Sequence, residues 1–264
     1  MKMLRASLLI KFQESMMYRE NIIINFVFGL MPLLVNILLW RAIYGSQHKI
    51  IAGYDYVQMI TYFVLVFMVR KVTSAREIAV NLAEYIREGT LNNFLLKPTD
   101  FITFQFKLYF ADKMVLLLNI LLPFIIFTTL IRNYLYFNSS YLVAFLISVF
   151  LSLVLNYIIY FTLGILTIWL EEISALLDLW DNIAAFLAGS FFPLTLLSDG
   201  VLRVVSFLPF KYMVFIPIDI YMGTLEGKDL IENLFIQIVW ICILTVVLKC
   251  IWIKAVKIYS GYGA

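Results

Sequence analysis

Ser74–Asp100 reads SAREIAVNLAEYIREGTLNNFLLKPTD, a polar interruption between two strongly apolar stretches. It holds Arg76, Glu77, Glu84, Arg87, Glu88, Lys97 and Asp100 in a chain that is elsewhere nearly uncharged. Ser74 with Glu77 three residues on has the spacing of a capping box, Ile78, Leu82, Tyr85 and Ile86 recur at helical intervals, and Gly89 is a stop signal. The stretch predicts one amphipathic helix from about Ala75 to Glu88, with Glu77, Asn81, Glu84 and Glu88 on its other face. A short apolar turn, Leu91–Leu96, follows and ends at Lys97-Pro98.

A solvated loop helix would show the same pattern, and composition weighs against that reading. Hydrophobic residues make up 63% of the chain, charged residues 14%, and the mean hydropathy is +0.95. A soluble domain is roughly 45–50% apolar and about 25% charged. The chain therefore reads as an all-α integral membrane protein. Its formal charge of +3 is too small and scattered for a nucleic-acid partner. Cys242 and Cys250 lie in one apolar run, about 12 Å apart along a helix, too far to bridge there and without metal-ligand spacing.

Leu4, Leu8, Phe12 and Met16 repeat every fourth residue in a basic arm, residues 1–20, which predicts a helix lying on the membrane surface. Ile22–Tyr44 is long enough to cross a bilayer and lacks the short core and cleavage site of a signal peptide. Pro32 within it is tolerable at the cost of a kink. Further spans are predicted at Tyr54–Val69, Met114–Ile131, Leu142–Leu170, Leu176–Leu197 and Leu234–Ile253, with bends at Pro123 and Pro193. Six crossings put both termini on one side. Fourteen of the twenty lysines and arginines fall on the flanks of that side, leaving Arg41, Lys49, Arg132, Arg203, Lys211 and Lys228 on the other. The excess marks the termini and Ser74–Asp100 as cytoplasmic, with the loops holding His48 and Gly200 outside.

Glu171 and Glu172 occupy the short inner turn between spans four and five and offer a second cytoplasmic contact point. Asp178 and Asp181 follow, and are placed at the inner edge because the uninterrupted apolar run begins only at Ala184. Ala184, Ala185, Ala188, Gly189 and Ser190 would let a neighbouring helix approach closely. Residues 194–223 are too broken by Pro209, Pro217 and the Ser198-Asp199-Gly200 start signal to span, and too apolar for a free loop. A re-entrant or outer helical cap is expected, with Phe191, Phe192, Pro193, Phe207 and Phe210 as a candidate outer gate.

This order of elements resembles the membrane subunit of ABC-2 type exporters: surface arm, six spans, a coupling helix between spans two and three, a second inner contact, and re-entrant helices before the last span. REGTLNNFLLKP at Arg87–Pro98, IWLEE at Ile168–Glu172, GSFFPL at Gly189–Leu194 and LPFKYMVFIPIDIYMG at Leu208–Gly223 are similar to signature stretches of that family's permeases of this length. The resemblance covers nearly the whole of residues 1–264 as a single transmembrane domain. It implies a permease in the bacterial inner membrane that works as a dimer, with an identical or related second permease, on two copies of a separate ABC ATPase. Glu77, Asn81, Glu84, Arg87, Glu88 and Gly89, with Glu171 and Glu172, would then be the ATPase-coupling residues. The chain has no GxxxxGK[ST] loop, so ATP and its Mg would bind on the partner, and no cofactor is expected on this chain.

Two other classes fit less well. A membrane-embedded enzyme needs an acid–base group or nucleophile at a cavity, and the one histidine, His48, has no obvious partner. An ion-coupled secondary transporter places ionisable groups mid-span and shows matching broken helices in two halves, whereas only one half is broken here. The many Phe, Tyr, Met and Leu side chains suit an amphipathic or lipophilic substrate, a drug, peptide or lipid-like molecule, although lipid-facing positions share that composition.

Overall fold

A backbone with no water to pair with must satisfy its own polar groups, and this chain does so with helices. The computed structural model describes residues 24, 28–45, 49–96 and 98–259. The arm at 1–20, His48 and Lys97 lie outside the described residues, as does much of 22–27. The helices are α1 (Met31–Tyr44), α2 (Tyr56–Thr73), α3 (Arg76–Arg87), α4 (Asn92–Leu95), α5 (Phe101–Leu130), α6 (Leu142–Ile165), α7 (Thr167–Leu170), α8 (Ser174–Leu187), α9 (Asp199–Ser206), α10 (Phe215–Met222) and α11 (Gly227–Ile258). Tighter 3-10 turns sit at Arg132–Tyr134, Leu194–Leu196 and Pro209–Met213. No strand forms among the described residues; Ile51 and Tyr54 make a single antiparallel bridge.

Four helical segments are long and apolar enough to cross a membrane: Tyr56–Arg87, Phe101–Leu130, Leu142–Leu170 and Gly227–Ile258. Their starts follow from local chemistry. Asp55 and Gln58 form a reciprocal capping box on α2, with Gln58 N–H donating to Asp55 at 2.7 Å and Asp55 N–H to Gln58 at 3.0 Å. Asp100 accepts from Thr103 N–H at 2.9 Å and starts α5 well ahead of Met114, where the apolar run begins. Helix α5 then runs on through Pro123, the site of an expected bend. Pro32 lies in the first turn of α1, where its missing N–H breaks no bond within that helix.

The expected span Leu176–Leu197 is shorter as a helix. Helix α8 covers Ser174–Leu187 and stops in a Schellman motif: Gly189 takes φ +77°, its N–H donates to Phe186 O, and Ser190 N–H donates to Ala185 O at 2.9 Å. Gly189 is thus a helix stop rather than part of a continuous small-residue stripe. The Tyr62 hydroxyl donates to Gly189 O at 2.6 Å and fixes this end against α2.

Helix α6 is the central column. It packs on α11, α3, α10 and α2 and is buried over much of its length. One apolar cluster joins α2, the end of α8 and residues 210–222 around Leu155 and Ile159. A second joins α3, the start of α5 and the end of α11 around Tyr157, Phe161 and Ile165, with Phe101 stacked on Trp252 at 5.5 Å.

Candidate coupling surface and adjoining cavities

Helix α3 follows α2 after a two-residue corner. The expected capping box is absent, because Ser74 closes α2 with its N–H on Arg70 O at 2.9 Å, and Ala75 becomes the cap. Ala79, Leu82, Ala83 and Ile86 are buried, and Ile78 and Tyr85 half-buried, so the apolar periodicity does define the inward face. Glu77, Asn81, Glu84 and Glu88 are all exposed on the other. Gly89 takes φ +72°, the left-handed conformation a sharp stop requires, and the turn closes with Leu91 N–H on Tyr85 O at 3.0 Å.

One end of α3 is tied to the corner that carries Glu171 and Glu172, and the other to α8. Arg87 Nη1 reaches Glu172 Oε2 at 2.7 Å, while Glu172 Oε1 accepts the N–H groups of Ile173 at 3.0 Å and Ser174 at 2.9 Å. Those Ser174 bonds, with Arg87 beside them, hold the Glu172 carboxyl below the usual range. At the other end Arg76 pairs with Asp178 at 2.7 Å and with Asp181, and the Asp181 bond raises the guanidinium pKa further. Tyr160 also donates to Asp181. Solvent screens each exposed pair, so none alone contributes much, but together they join α3 to α8 and to the turn before it. Glu171, at φ +59°, is exposed.

Behind α3 lie two cavities. One of about 190 Å³ is lined by Asn156, Tyr160, Asp181, Ala188 and Met213, among others. The other, about 390 Å³, lies between α1 and α2 along Leu33, Phe63, Phe67 and Phe191. Arg70, Ser74 and Ser190 line both.

A family model described as ABC-2 family transporter protein matches residues 30–263. The chain belongs to the ABC-2 transporter family. Comparison with curated proteins and with solved structures yields no match. ABC-2 permeases are multi-pass membrane subunits for transport, generally not catalytic themselves, and generally partner with ABC ATPases.

In this ABC-2 permease the five gate candidates have different surroundings. Phe210 is buried with its ring 5.1 Å from Trp180, and Phe192 meets Phe186 edge-on at 5.2 Å. Pro193 is buried, Phe191 is exposed at the larger cavity, and Phe207 is 80% exposed. Between Leu194 and Gly223 the helical pieces are short, and residues Tyr212 to Met222 are buried.

Three positions that tie the fold together are absent from the sequence-based expectations. Gln237, fully buried on α11, donates to Ser148 O, Ser152 Oγ and Tyr212 O, and Ser152 Oγ also donates to Tyr212 O at 2.7 Å. Asp219, 7% exposed, accepts from the hydroxyls of Tyr54 at 3.2 Å and Thr224. Its position inside the apolar run FIPIDIYM was the available signal, since an ionisable group there calls for a partner. Gly164 gave none, because only the approach of α3 shows why it is small.

Proposed function

We propose that this ABC-2 permease is the membrane subunit of an ATP-driven exporter that moves an amphipathic or lipophilic substrate out of the cytoplasm. Two permeases, identical or related, would sit in a bacterial inner membrane on two copies of an ABC ATPase, which binds the ATP and Mg. The observation that carries the reading is α3: a rigid helix, its apolar face buried on α6, with Glu77, Asn81, Glu84 and Glu88 outward and Gly89 at its stop. Such a helix transmits a rigid-body movement to α2 and α5, where a flexible loop would absorb it. Residues 74–100 are then the coupling segment, with Glu171 as the exposed part of a smaller second contact and Arg87 and Glu172 holding the two together.

Six crossings with cytoplasmic termini remain the topology we favour. Residues 194–223 are read as a re-entrant cap. Support comes from Tyr212 O, which accepts from Ser152, ten residues into the apolar run of α6, and from Gln237, three residues into the run of α11 that begins at Leu234, so this carbonyl lies within the apolar zone of both helices.

The deciding experiment reverses charge at Glu84 and Glu88 to Lys, with exposed Asp229→Lys on α11 as control. Association with the ABC ATPase should fall about tenfold, as expected for lost charge pairs at an interface, and hydrolysis should uncouple from export. Full ATPase binding and full transport in the double reversal would leave α3 an ordinary surface helix and end the reading.

A further inference from the structure

The two cavities meet at Arg70 and Ser190, and their walls differ in kind. The smaller one mixes Arg70, Arg76, Asn156, Tyr160 and Asp181 with apolar side chains, whereas Leu33, Phe63, Val66 and Phe67 give the larger an apolar wall. Charge at the junction is uneven. Arg76 and Asp181 satisfy each other, with Asp178 as a second acid on Arg76. Arg70, and Lys71 at the larger cavity, have no ion-pair partner among the described residues. Ser190 is 6% exposed, and its buried hydroxyl has no hydrogen-bond partner among the described residues.

Arg70, a cation, and Ser190, whose buried hydroxyl is unpaired, both line the junction beside an apolar wall, and together they define a ligand with negatively charged oxygens at one end and hydrocarbon at the other. Guanidinium and hydroxyl donors suit carboxylate or phosphate oxygens. A cationic amphiphile would meet like charge from Arg70 and Lys71, and a sugar would leave the apolar wall uncovered. We propose that the joined cavities take an amphiphile with a single anionic head group, held at Arg70 and Ser190, its apolar body lying along Leu33, Phe63 and Phe67. The inference rests on the exporter reading for calling that occupant a substrate.

The test uses the full chain in phosphatidylcholine nanodiscs without ATPase, and radiolabelled dodecyl phosphate as probe. Binding should saturate, compete with dodecanoate, and resist dodecyltrimethylammonium and inorganic phosphate. Arg70→Gln should weaken it about tenfold and Ser190→Ala about threefold, while Arg70→Lys, which keeps the charge, stays within about threefold. Arg203→Gln, on α9, should have no effect. Displacement by phosphatidylglycerol in the disc supports the site and assigns it to a bilayer lipid; no displacement supports it and assigns a diffusible amphiphile. Equal competition by the cation or by inorganic phosphate, unchanged binding in Arg70→Gln, or loss in Arg70→Lys overturns the proposal. Since no ATPase is present, failure here leaves the coupling reading standing, and failure of the Glu84 and Glu88 reversals leaves this binding intact.

Discussion

A methyl group on Gly164 would stand 2.9 Å from the Ala79 Cα and 3.1 Å from its carbonyl oxygen, so the backbone of α3 lies directly against α6. Both nearest atoms belong to a helix backbone, and no side-chain rotation relieves the contact. Gly164→Ala should therefore displace α3 and destabilise the protein by roughly 1–3 kcal/mol, the usual cost of overpacking. Thermal unfolding of the purified permease would show it, and ATPase association should drop although the exposed face of α3 keeps every charge. An unchanged melting curve would mean that α3 rests on α6 more loosely than the distances imply.

Gly89→Val tests the same helix from its other end. At φ +72° a β-branched side chain is strained by about 1–2 kcal/mol, which should release the turn that closes on Tyr85 O. Gly89→Asn, which tolerates the left-handed region, should retain most of the coupling. Comparable ATP-driven transport in the Val and Asn variants would show that the stop does not matter to coupling.

The side of the membrane on which α3 lies is accessible to labelling. Cys242 and Cys250 are both exposed and free, so they are first replaced by Ser. A cysteine at Gly200 should then react with an impermeant maleimide in intact cells, and one at Glu84 only after permeabilisation. The reverse pattern would invert the topology and remove α3 from the reach of any cytoplasmic ATPase.

Helix α3 was legible because its sorting into two faces is local: about three turns of sequence carry the signal for Leu82 and Ile86 against Glu77 and Glu84. Its start was misplaced by one residue because Ser74 could serve either neighbour, and only the α2 backbone shows which it closes. The length of α8 was misread for a related reason. Gly189 suits both a small-residue packing face and a helix stop, and the choice is made by Tyr62, 127 residues away. Arg76 with Asp178, Asp219 with Tyr54, and Gln237 with Tyr212 are pairs between distant segments, for which composition and period hold no information.

Gln237 offers the most discriminating test of how the broken segment is held. Its side chain is fully buried, Nε2 lies 3.0 Å from Ser148 O, 3.1 Å from Ser152 Oγ and 3.0 Å from Tyr212 O, and Oε1 accepts the Ser148 hydroxyl at 3.0 Å. One amide thus joins α11, α6 and the 3-10 turn before α10. Interhelical hydrogen bonds in bilayers contribute about 0.6 kcal/mol on average and about 1.7 at most, so Gln237→Leu alone should cost roughly that range. Tyr212 O would still accept from Ser152 Oγ at 2.7 Å. Ser152→Ala should be similarly mild, because Gln237 remains. With both changed, neither of these donors remains on a buried carbonyl, and an unsatisfied buried group costs about 1–3 kcal/mol. The double variant should therefore lose more stability than the sum of the single ones, read by denaturation in mixed micelles, and substrate export should fall with it. Strictly additive losses would show that Tyr212 O finds another donor, and that this pair does not hold the segment in place.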